Sequence, residues 1–225
     1  MTRAVVLLSG GLDSTTCLAW ALRQGWTVEA LSVDYGQRHR LELERARAIA
    51  ARLGVPHRSV RVDLRAVGGS ALTDDAIAVP RDRDLSAPEA IPVTYVPARN
   101  TLLLALALGL AEVSGARVLV IGANAIDYSG YPDCRPAFLE AFERLANLAT
   151  RAGVEGETFR VEAPLLHLTK AGIVKLAREV GAPLELTLSC YDPGADGRSC
   201  GRCDACALRL KGFAEAGLAD PIPYA

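Results

Sequence analysis

Three short aliphatic stretches alternate with two helical patterns between residues 4 and 62, and this alternation constrains the fold more than any other feature. Residues 4–8, 28–33 and 57–62 have the valine and leucine content or the alternation typical of β-strands. Residues 14–24 and 41–53 each form an amphipathic helical pattern with a glycine directly after its end. Strands that alternate with helices predict parallel pairing through helical crossovers. The expected fold class is α/β, an open parallel sheet with helices on both faces.

The rest of the chain adds an insertion, further helices and an unusual tail. Residues 63–92 are rich in glycine, proline, serine and aspartate, which predicts an irregular insertion. Helices are expected at residues 100–114, 136–152 and 169–180, the last with Thr169 as N-cap, and a strand at 117–121. A short helix is expected near residues 208–215. We therefore predict an α/β domain at residues 1–185 and a cysteine-rich C-terminal segment, residues 186–225, packed on the same domain.

Composition argues against a nucleic-acid or membrane partner. The 225 residues include 25 basic and 26 acidic side chains, which are interleaved and give a formal net charge of −1. Proteins that bind phosphate backbones usually carry a basic face or tail. The longest apolar run, residues 101–113, is shorter than the roughly 20 residues that span a bilayer. We expect a soluble, cytoplasmic chain whose six cysteines serve metal binding or catalysis rather than disulfides.

The turn from the first strand into the first helix is a candidate phosphate site. Gly10 and Gly11 allow the backbone to approach a ligand closely, and the amides at the helix start attract an anion. Ser9 adds a hydroxyl donor, and Asp13 is expected either to cap the helix or to bind the Mg²⁺ that accompanies a nucleotide. A plain strand-to-helix turn is the alternative. The candidate nucleotide-binding residues are Leu8, Ser9, Gly10, Gly11, Leu12, Asp13, Ser14, Thr15, Thr16, Cys17 and Leu18.

The full pattern Ser-Gly-Gly-x-Asp-Ser is more specific than two glycines. It is neither a Walker A loop, since no Gly-Lys-Ser/Thr follows, nor a dinucleotide fingerprint, since the third glycine is missing. It resembles the PP-loop of the ATP pyrophosphatase superfamily, whose loop grips the pyrophosphate of ATP. The resemblance implies an adenine nucleotide alpha hydrolase-like fold and enzymes that transfer AMP to a carboxylate, carbonyl or amide oxygen.

Four cysteines in the tail are spaced as a metal site. Cys190, Cys200, Cys203 and Cys206 form Cys-x9-Cys-x2-Cys-x2-Cys, and four thiolates are the preferred closed shell of structural Zn²⁺. An iron–sulfur cluster and a redox dithiol are the alternatives. Cys17 lies inside the first helix and is interpreted as a small core residue, whereas Cys134 has no assignment.

Polar clusters follow several of the predicted strands. They lie at residues 34–39, 95–100, 122–124 and 127–135. Each alone is compatible with a solvated loop. Because ligands bind at the carboxyl ends of the strands in open α/β sheets, we expect these clusters to converge beside the phosphate loop.

Taken together, these segments resemble one family over nearly the whole chain. The loop at 9–14, the motifs at 35–39, 96–100, 127–135 and 168–170, and the tail from Ser189 to Cys206 are similar to 7-cyano-7-deazaguanine synthase, of the queuosine precursor pathway. The resemblance implies the substrates 7-carboxy-7-deazaguanine, ATP and ammonia, the ions Mg²⁺ and Zn²⁺, and a homodimer. It implies an ATP-dependent carbon–nitrogen ligase that forms the nitrile through an adenylated acid and an adenylated amide.

Within that reaction, specific side chains receive roles as hypotheses. Lys170, supported by Arg99, would neutralise charge on the phosphates, although a lysine at a helix start is often simply exposed. Arg38 and His39 would meet the substrate carboxylate, or His39 would manage an ammonia proton. Asp133 or Asp127 would accept the two adjacent N–H groups of the purine ring. The candidate substrate-binding residues are Tyr35, Asp127, Tyr128, Asp133 and Arg135.

Other readings remain at this stage. A tRNA thiolase or lysidine-forming enzyme of the same superfamily would need a means of holding RNA. A guanylate- or NAD-amidating enzyme would not explain residues 127–135. A zinc-knuckle module that binds nucleic acid without catalysis would leave the phosphate loop unexplained.

Overall fold

The computed structural model describes residues 1–84, 91–124 and 130–225. Among them, five parallel strands form one sheet in the order β3-β2-β1-β4-β5, as the α/β pattern predicts. The strands are β1 (Arg3–Leu7), β2 (Thr27–Asp34), β3 (His57–Arg61), β4 (Val118–Val120) and β5 (Arg160–Glu162). The order reverses at β1, which pairs with β2 on one side and with β4 on the other. Such a switch point opens a crevice at the carboxyl ends of the strands.

Helices cover both faces of the sheet. Their bounds are α1 (Leu12–Arg23), α2 (Leu41–Arg52), α3 (Arg99–Ser114), α4 (Pro136–Ala149), α5 (Arg151–Val154), α6 (Lys170–Glu179) and α7 (Asp204–Glu215). On β1, Ala4 and Val6 belong to the core that contains α1, α2, α6 and α7, whereas Val5 and Leu7 belong to the core under α3 and α4. The alternation of side chains along a strand thus supplies both cores from one aliphatic run. No helix in the described part of the chain is both long and apolar enough to cross a bilayer.

The structure corrects several predicted bounds. The predicted helix at 136–152 is two helices, because the Thr150 backbone is extended and its hydroxyl accepts a hydrogen bond from the Gly153 amide, which caps α5. The tail helix begins at Asp204, four residues before its predicted start, and therefore includes Cys206. Strand β5 was not predicted. Thr169 caps α6 as predicted, accepting from the Gly172 amide at 3.2 Å.

The tail forms hydrogen bonds with the α/β domain and with the insertion. The Leu188 amide donates to the Gly10 carbonyl at 2.9 Å, next to the phosphate loop. Arg81 of the insertion forms an isolated antiparallel bridge with Cys203, and the Asp82 amide donates to the Arg202 carbonyl at 2.8 Å. The predicted boundary at residue 185 between the α/β domain and the C-terminal segment stays a prediction. Hydrogen bonds connect the two parts, and helix α7 packs in the core that contains α1.

A buried ion pair ties the end of the chain to this core. Arg209 on α7 is 1% exposed, and its Nε and Nη2 donate to the two carboxylate oxygens of Asp220, which is 4% exposed, at 2.7 and 2.9 Å. The Tyr224 hydroxyl also donates to Asp220, at 2.6 Å. Removing one partner of such a pair leaves an uncompensated buried charge.

We expect Arg209→Met to lower the free energy of unfolding by about 3–5 kcal/mol. The matched control is Lys211→Met on the same helix, where Lys211 forms an exposed ion pair with Glu215 and the expected loss is below about 0.5 kcal/mol. Chemical denaturation of both variants measures the difference. Equal losses in the two variants would contradict the assignment of Arg209–Asp220 as the buried link.

Candidate functional site

A cavity of about 270 Å³ lies at the carboxyl ends of the strands, beside the switch point at β1. It is lined by the loop after β1, the segment after β2, the start of α3, the segment after β4, the start of α6 and part of the tail. The predicted site residues that line this cavity include Ser9, Asp13, Ser14, Tyr35, Arg38, His39, Arg99 and Lys170. The polar clusters at 34–39, 95–100 and 122–124 therefore meet at one place.

The phosphate loop is held tightly from behind. Gly10 has φ +89°, and a Cβ there would lie 2.4 Å from the Glu42 carbonyl oxygen and 2.9 Å from the Ala46 amide nitrogen of α2. Ser9 and Ser14 join their hydroxyls at 3.1 Å, and the Ser9 amide donates to Ser14 Oγ at 3.2 Å. Glycine at position 10 is therefore required both by the backbone angle and by the packing.

Asp13 does not cap helix α1. The N-cap residue is Gly11, which has no side chain to cap with, and the carboxylate of Asp13 turns instead toward Lys170 and Asn124. Lys170 Nζ donates to Asp13 Oδ2 at 2.5 Å and Asn124 Nδ2 donates to the same oxygen at 2.9 Å. Asp13 Oδ1 is buried and has no hydrogen-bond partner among the described residues. The side chain thus offers one occupied and one available oxygen at the start of the helix.

Arg99 enters the cavity from a strained turn. Ala98, the N-cap of α3, has φ +55°, and its amide donates to the Tyr95 hydroxyl at 3.2 Å. A non-glycine residue at such an angle costs about 1–2 kcal/mol, and such strain clusters at functional sites. The Arg99 guanidinium lies 5.8 Å from the Tyr35 ring centre and donates to its hydroxyl at 3.5 Å. Burial raises the pKa of Tyr35, so its hydroxyl stays neutral.

Arg38 and His39 are both anchored by backbone oxygens. Arg38 Nη1 donates to the carbonyls of Ala71 and Ile77 at 3.1 Å each, which secures the insertion against the cavity. His39 Nε2 lies 2.9 Å from the Cys190 carbonyl oxygen, while its Nδ1 is buried with no partner in the described ranges. Burial lowers the pKa of His39. Both side chains line the cavity and couple it to neighbouring segments.

Glu42 is a cavity residue that the sequence reasoning missed. It lies in the first turn of α2 and lines the cavity. Burial raises the pKa of its carboxyl to about 7, and the nearby charge of Arg99 opposes that shift. Nothing in the amphipathic pattern of residues 41–53 distinguishes it from the exposed Glu44, because its burial comes from tertiary packing.

The residues chosen to bind the purine fall in different places. Asp133 is buried, and its Oδ2 accepts from the Asn100 amide at 3.0 Å, so it fixes the start of α3; it does not itself line the cavity. Cys134, which had no predicted role, lines the cavity and lies 3.1 Å from Asn100 Nδ2. Arg135 is exposed and lies outside the cavity wall. Asp127 and Tyr128 lie outside the described residues.

The tail completes the phosphate side of the cavity, which sequence reasoning also missed. Ser189 Oγ accepts from the Leu12 amide, in the first turn of α1, at 3.4 Å. Arg209 Nη1 donates to Ser189 Oγ at 3.3 Å and to Thr187 Oγ1 at 2.7 Å. A buried arginine therefore orients a hydroxyl against the start of α1.

The four tail cysteines form one cluster that could hold a metal ion. Their sulfur atoms all lie within 4.8 Å of one another, and the pairs Cys190–Cys203 and Cys200–Cys206 are 4.0 Å apart. Tetrahedral coordination with metal–sulfur bonds of about 2.3 Å requires nearly this sulfur separation. The amides of Cys200 and Cys203 point at the sulfurs of Cys190 and Cys200, at 3.3 Å each. Amide donors stabilise thiolates, so the chemistry of the donor set fits a cation. Cys17, by contrast, is buried in the core, as predicted, and burial raises its pKa.

The sheet order, the glycine loop after β1 and the cavity beside it define an α/β protein of the class that binds phosphate-bearing ligands at strand ends. The family described as Queuosine biosynthesis protein QueC matches residues 3–217. The chain belongs to this family.

Curated relatives are similar in sequence to this chain over nearly their full length. A protein of Anaeromyxobacter dehalogenans (strain 2CP-C) named 7-cyano-7-deazaguanine synthase is 67% identical, over 99% of this chain and 96% of its own. Relatives with the same name from Myxococcus xanthus (strain DK1622) and Pseudomonas aeruginosa (strain LESB58) are 62% and 58% identical, over 99% of this chain and 97% and 98% of theirs. The family that the residue motifs resembled is thereby confirmed.

Two solved structures share the fold at low identity. NMN synthetase from Francisella tularensis has a TM-score of 0.51 and 15% identity, over 97% of this chain and 78% of its own. A predicted subunit of tRNA methyltransferase from Methanocaldococcus jannaschii also scores 0.51, with 18% identity over 80% and 76%. At these identities the likeness extends to the fold alone.

The packing behind the phosphate loop yields a prediction for Gly10. Gly25, at the other end of α1, also has positive φ but no neighbour within 4 Å of an added Cβ. Gly25→Ala is expected to lose about 1–2 kcal/mol of stability from the backbone angle alone. Gly10→Ala is expected to lose about 1–3 kcal/mol more, because its methyl group would displace α2. Denaturant titration compares them, and a Gly10→Ala variant as stable as Gly25→Ala would contradict the contact.

Proposed function

We propose that this chain converts 7-carboxy-7-deazaguanine and ammonia to 7-cyano-7-deazaguanine at the expense of ATP, in queuosine biosynthesis. One observation carries the proposal: a PP-loop-type turn borders a cavity that is also lined by Lys170, Arg99 and Tyr35. Near-complete similarity to relatives named 7-cyano-7-deazaguanine synthase supports the choice of substrate.

ATP would bind with its phosphates on the loop. Ser9, with its hydroxyl bonded to that of Ser14, and the first residues of α1 line the cavity, and an anion is favoured at a helix start. Lys170, now paired with Asp13, would share its charge with the phosphates. Asp13 Oδ1, buried and without a partner among the described residues, fits a hard cation such as the Mg²⁺ that accompanies ATP.

Activation solves a leaving-group problem. Attack of the substrate carboxylate on the α-phosphorus would form an acyl-adenylate with release of pyrophosphate. Ammonia would then displace AMP to give the amide. Adenylation of the amide oxygen and loss of AMP and protons would leave the nitrile. The protein's contribution is positioning and charge neutralisation, for which Arg99 and Lys170 lie on the same cavity.

Purine recognition is proposed to involve Tyr35 and Asp133. Tyr35 offers a ring on the cavity wall beside Arg99. Asp133 does not line the cavity and has one carboxylate oxygen bonded to the Asn100 amide, so its contact with the ring stays a prediction. The roles of Asp127, Tyr128 and Arg135 stay predictions.

The cysteine cluster is proposed to bind Zn²⁺ in a structural role. Cys190, Cys200, Cys203 and Cys206 would fill all four positions and leave none for substrate. Bound zinc would supply folding energy to the tail. Free thiols are also consistent with the proposed cytoplasmic location. The homodimer stays a prediction from the family resemblance.

The test is to incubate the protein with ATP, Mg²⁺, ammonium and 7-carboxy-7-deazaguanine and to look for the nitrile by mass spectrometry. Lys170→Gln is expected to lower nitrile formation by about 10²-fold, because charge on the phosphates goes uncompensated. Lys175→Gln, an exposed lysine on the same helix, is the matched control and is expected to act like wild type. Phosphate release without a new purine would exclude the substrate while leaving the nucleotide site intact.

Metal analysis tests the cluster. Purified protein is expected to contain one zinc per chain, and Cys203→Ser to lose it together with several degrees of thermal stability. Cys134→Ser, a change at a cysteine outside the cluster, is the control and should keep the zinc. Iron with acid-labile sulfide in place of zinc would favour an iron–sulfur cluster at this site.

A further inference from the structure

Glu42 differs from every other carboxylate described around the cavity. It comes from the first turn of α2, whose backbone abuts the phosphate loop at Gly10, so it lies beside the nucleotide end of the cavity. Asp13, the other acidic side chain on the cavity wall, is neutralised by Lys170 and bonded to Asn124. Within the described ranges the Glu42 carboxylate forms neither an ion pair nor a hydrogen bond.

The surroundings of Glu42 leave it able to exchange a proton near neutral pH. Arg99 is the cation that acts on it, but the guanidinium of Arg99 is directed at the Tyr35 hydroxyl. Burial outweighs that charge and raises the pKa of Glu42 to about 7. A group with a pKa near the working pH is the most effective general base or acid.

The proposed reaction needs such a group, because ammonia carries three protons on nitrogen and the amide product keeps two. We propose that Glu42 is the general base of the ammonia-transfer step, an inference that rests on the proposed function. As the carbon–nitrogen bond forms and the carbon–oxygen bond to AMP breaks, AMP leaves with the electron pair. The surplus proton on nitrogen passes to the Glu42 carboxylate, which later returns it to water.

The histidine, the cations and Tyr35 on the cavity wall are less suited to this role. His39 is held through Nε2 by the Cys190 carbonyl and its Nδ1 is buried, whereas Arg38 and Lys170 are cations. The Tyr35 hydroxyl already accepts from Arg99, and burial keeps it neutral. Arg209 is neutralised by Asp220. Glu42 therefore combines position on the cavity with an available proton site.

Three assays on Glu42→Gln separate the proton role from a structural one. Exchange of pyrophosphate into ATP that requires 7-carboxy-7-deazaguanine, measured without ammonium, reports adenylation alone. Hydroxylamine, a neutral nucleophile at neutral pH, traps the acyl-adenylate as a hydroxamate with less need of a base. We expect both to stay within about threefold of wild type, and the ammonium-dependent product to fall by about 10²-fold or more. Glu44→Gln, an exposed change in the same helical turn, should leave all three unchanged.

The pH profile gives an independent readout. With free ammonia held at constant concentration, the wild-type rate is expected to rise as pH increases through about 7, because the ionised carboxylate of Glu42 is the active form. Glu42→Gln should lack this rise, and Glu42→Asp should keep part of it. Thermal unfolding establishes that each variant is folded.

Two results would overturn the inference. One is a Glu42→Gln variant that makes the ammonium-dependent product at the wild-type rate; the other is one that loses pyrophosphate exchange as well, which would assign Glu42 to nucleotide binding. Failure of the proposed function looks different, since wild-type protein would then show no acid-dependent exchange at all and the inference would fall with it.

Discussion

The close approach of the phosphate loop to helix α2 at Gly10 is the constraint on which the rest of the site depends. With no room for a side chain between the loop and the Glu42 carbonyl, the turn packs directly against α2, and Leu12, Asp13 and Ser14 at the start of α1 line the cavity. The same contact brings the Glu42 side chain to the cavity wall. One glycine thus sets both the anion-binding edge and the position of the carboxylate beside it, since packed interiors transmit displacements rather than absorb them.

The second organising interaction is the ion pair of Asp13 and Lys170. It joins the start of α1 to the start of α6 across 157 residues, at two elements that bring their polar ends to the same edge of the sheet. Both groups are largely shielded, so their charges interact strongly and an incoming phosphate would compete for Lys170. A cation arriving with that phosphate would compensate Asp13. The pair therefore keeps an otherwise costly pair of charges balanced when the cavity holds no ligand.

Much of this architecture could be read from periodicity and motif, and the failures have physical causes. The central strands and α1, α2, α3 and α6 are long or strongly patterned. Strand β5 is three residues, Arg160–Glu162, at the sheet edge, where neither apolar content nor alternation marks a strand. The break at Thr150 depends on a hydroxyl that caps the next helix rather than continuing the first. The role of Asp133 at the purine stays a prediction, and its hydrogen bond with the Asn100 amide depends on tertiary packing that residue type does not reveal. Glu42 carries no local signal, because packing alone separates it from Glu44.

The tail connects the four-cysteine cluster to the cavity. Cys190 follows directly on Ser189, whose hydroxyl accepts from the Leu12 amide, and its carbonyl holds His39. Cys203 is the N-cap of α7 and Cys206 lies in its first turn, and the same helix carries Arg209, which donates to Ser189. A cation that closes the four sulfurs would therefore set the register of both segments that flank the cavity. Such a cation would affect the cavity through position alone, by fixing the wall against which the loop after β1 rests.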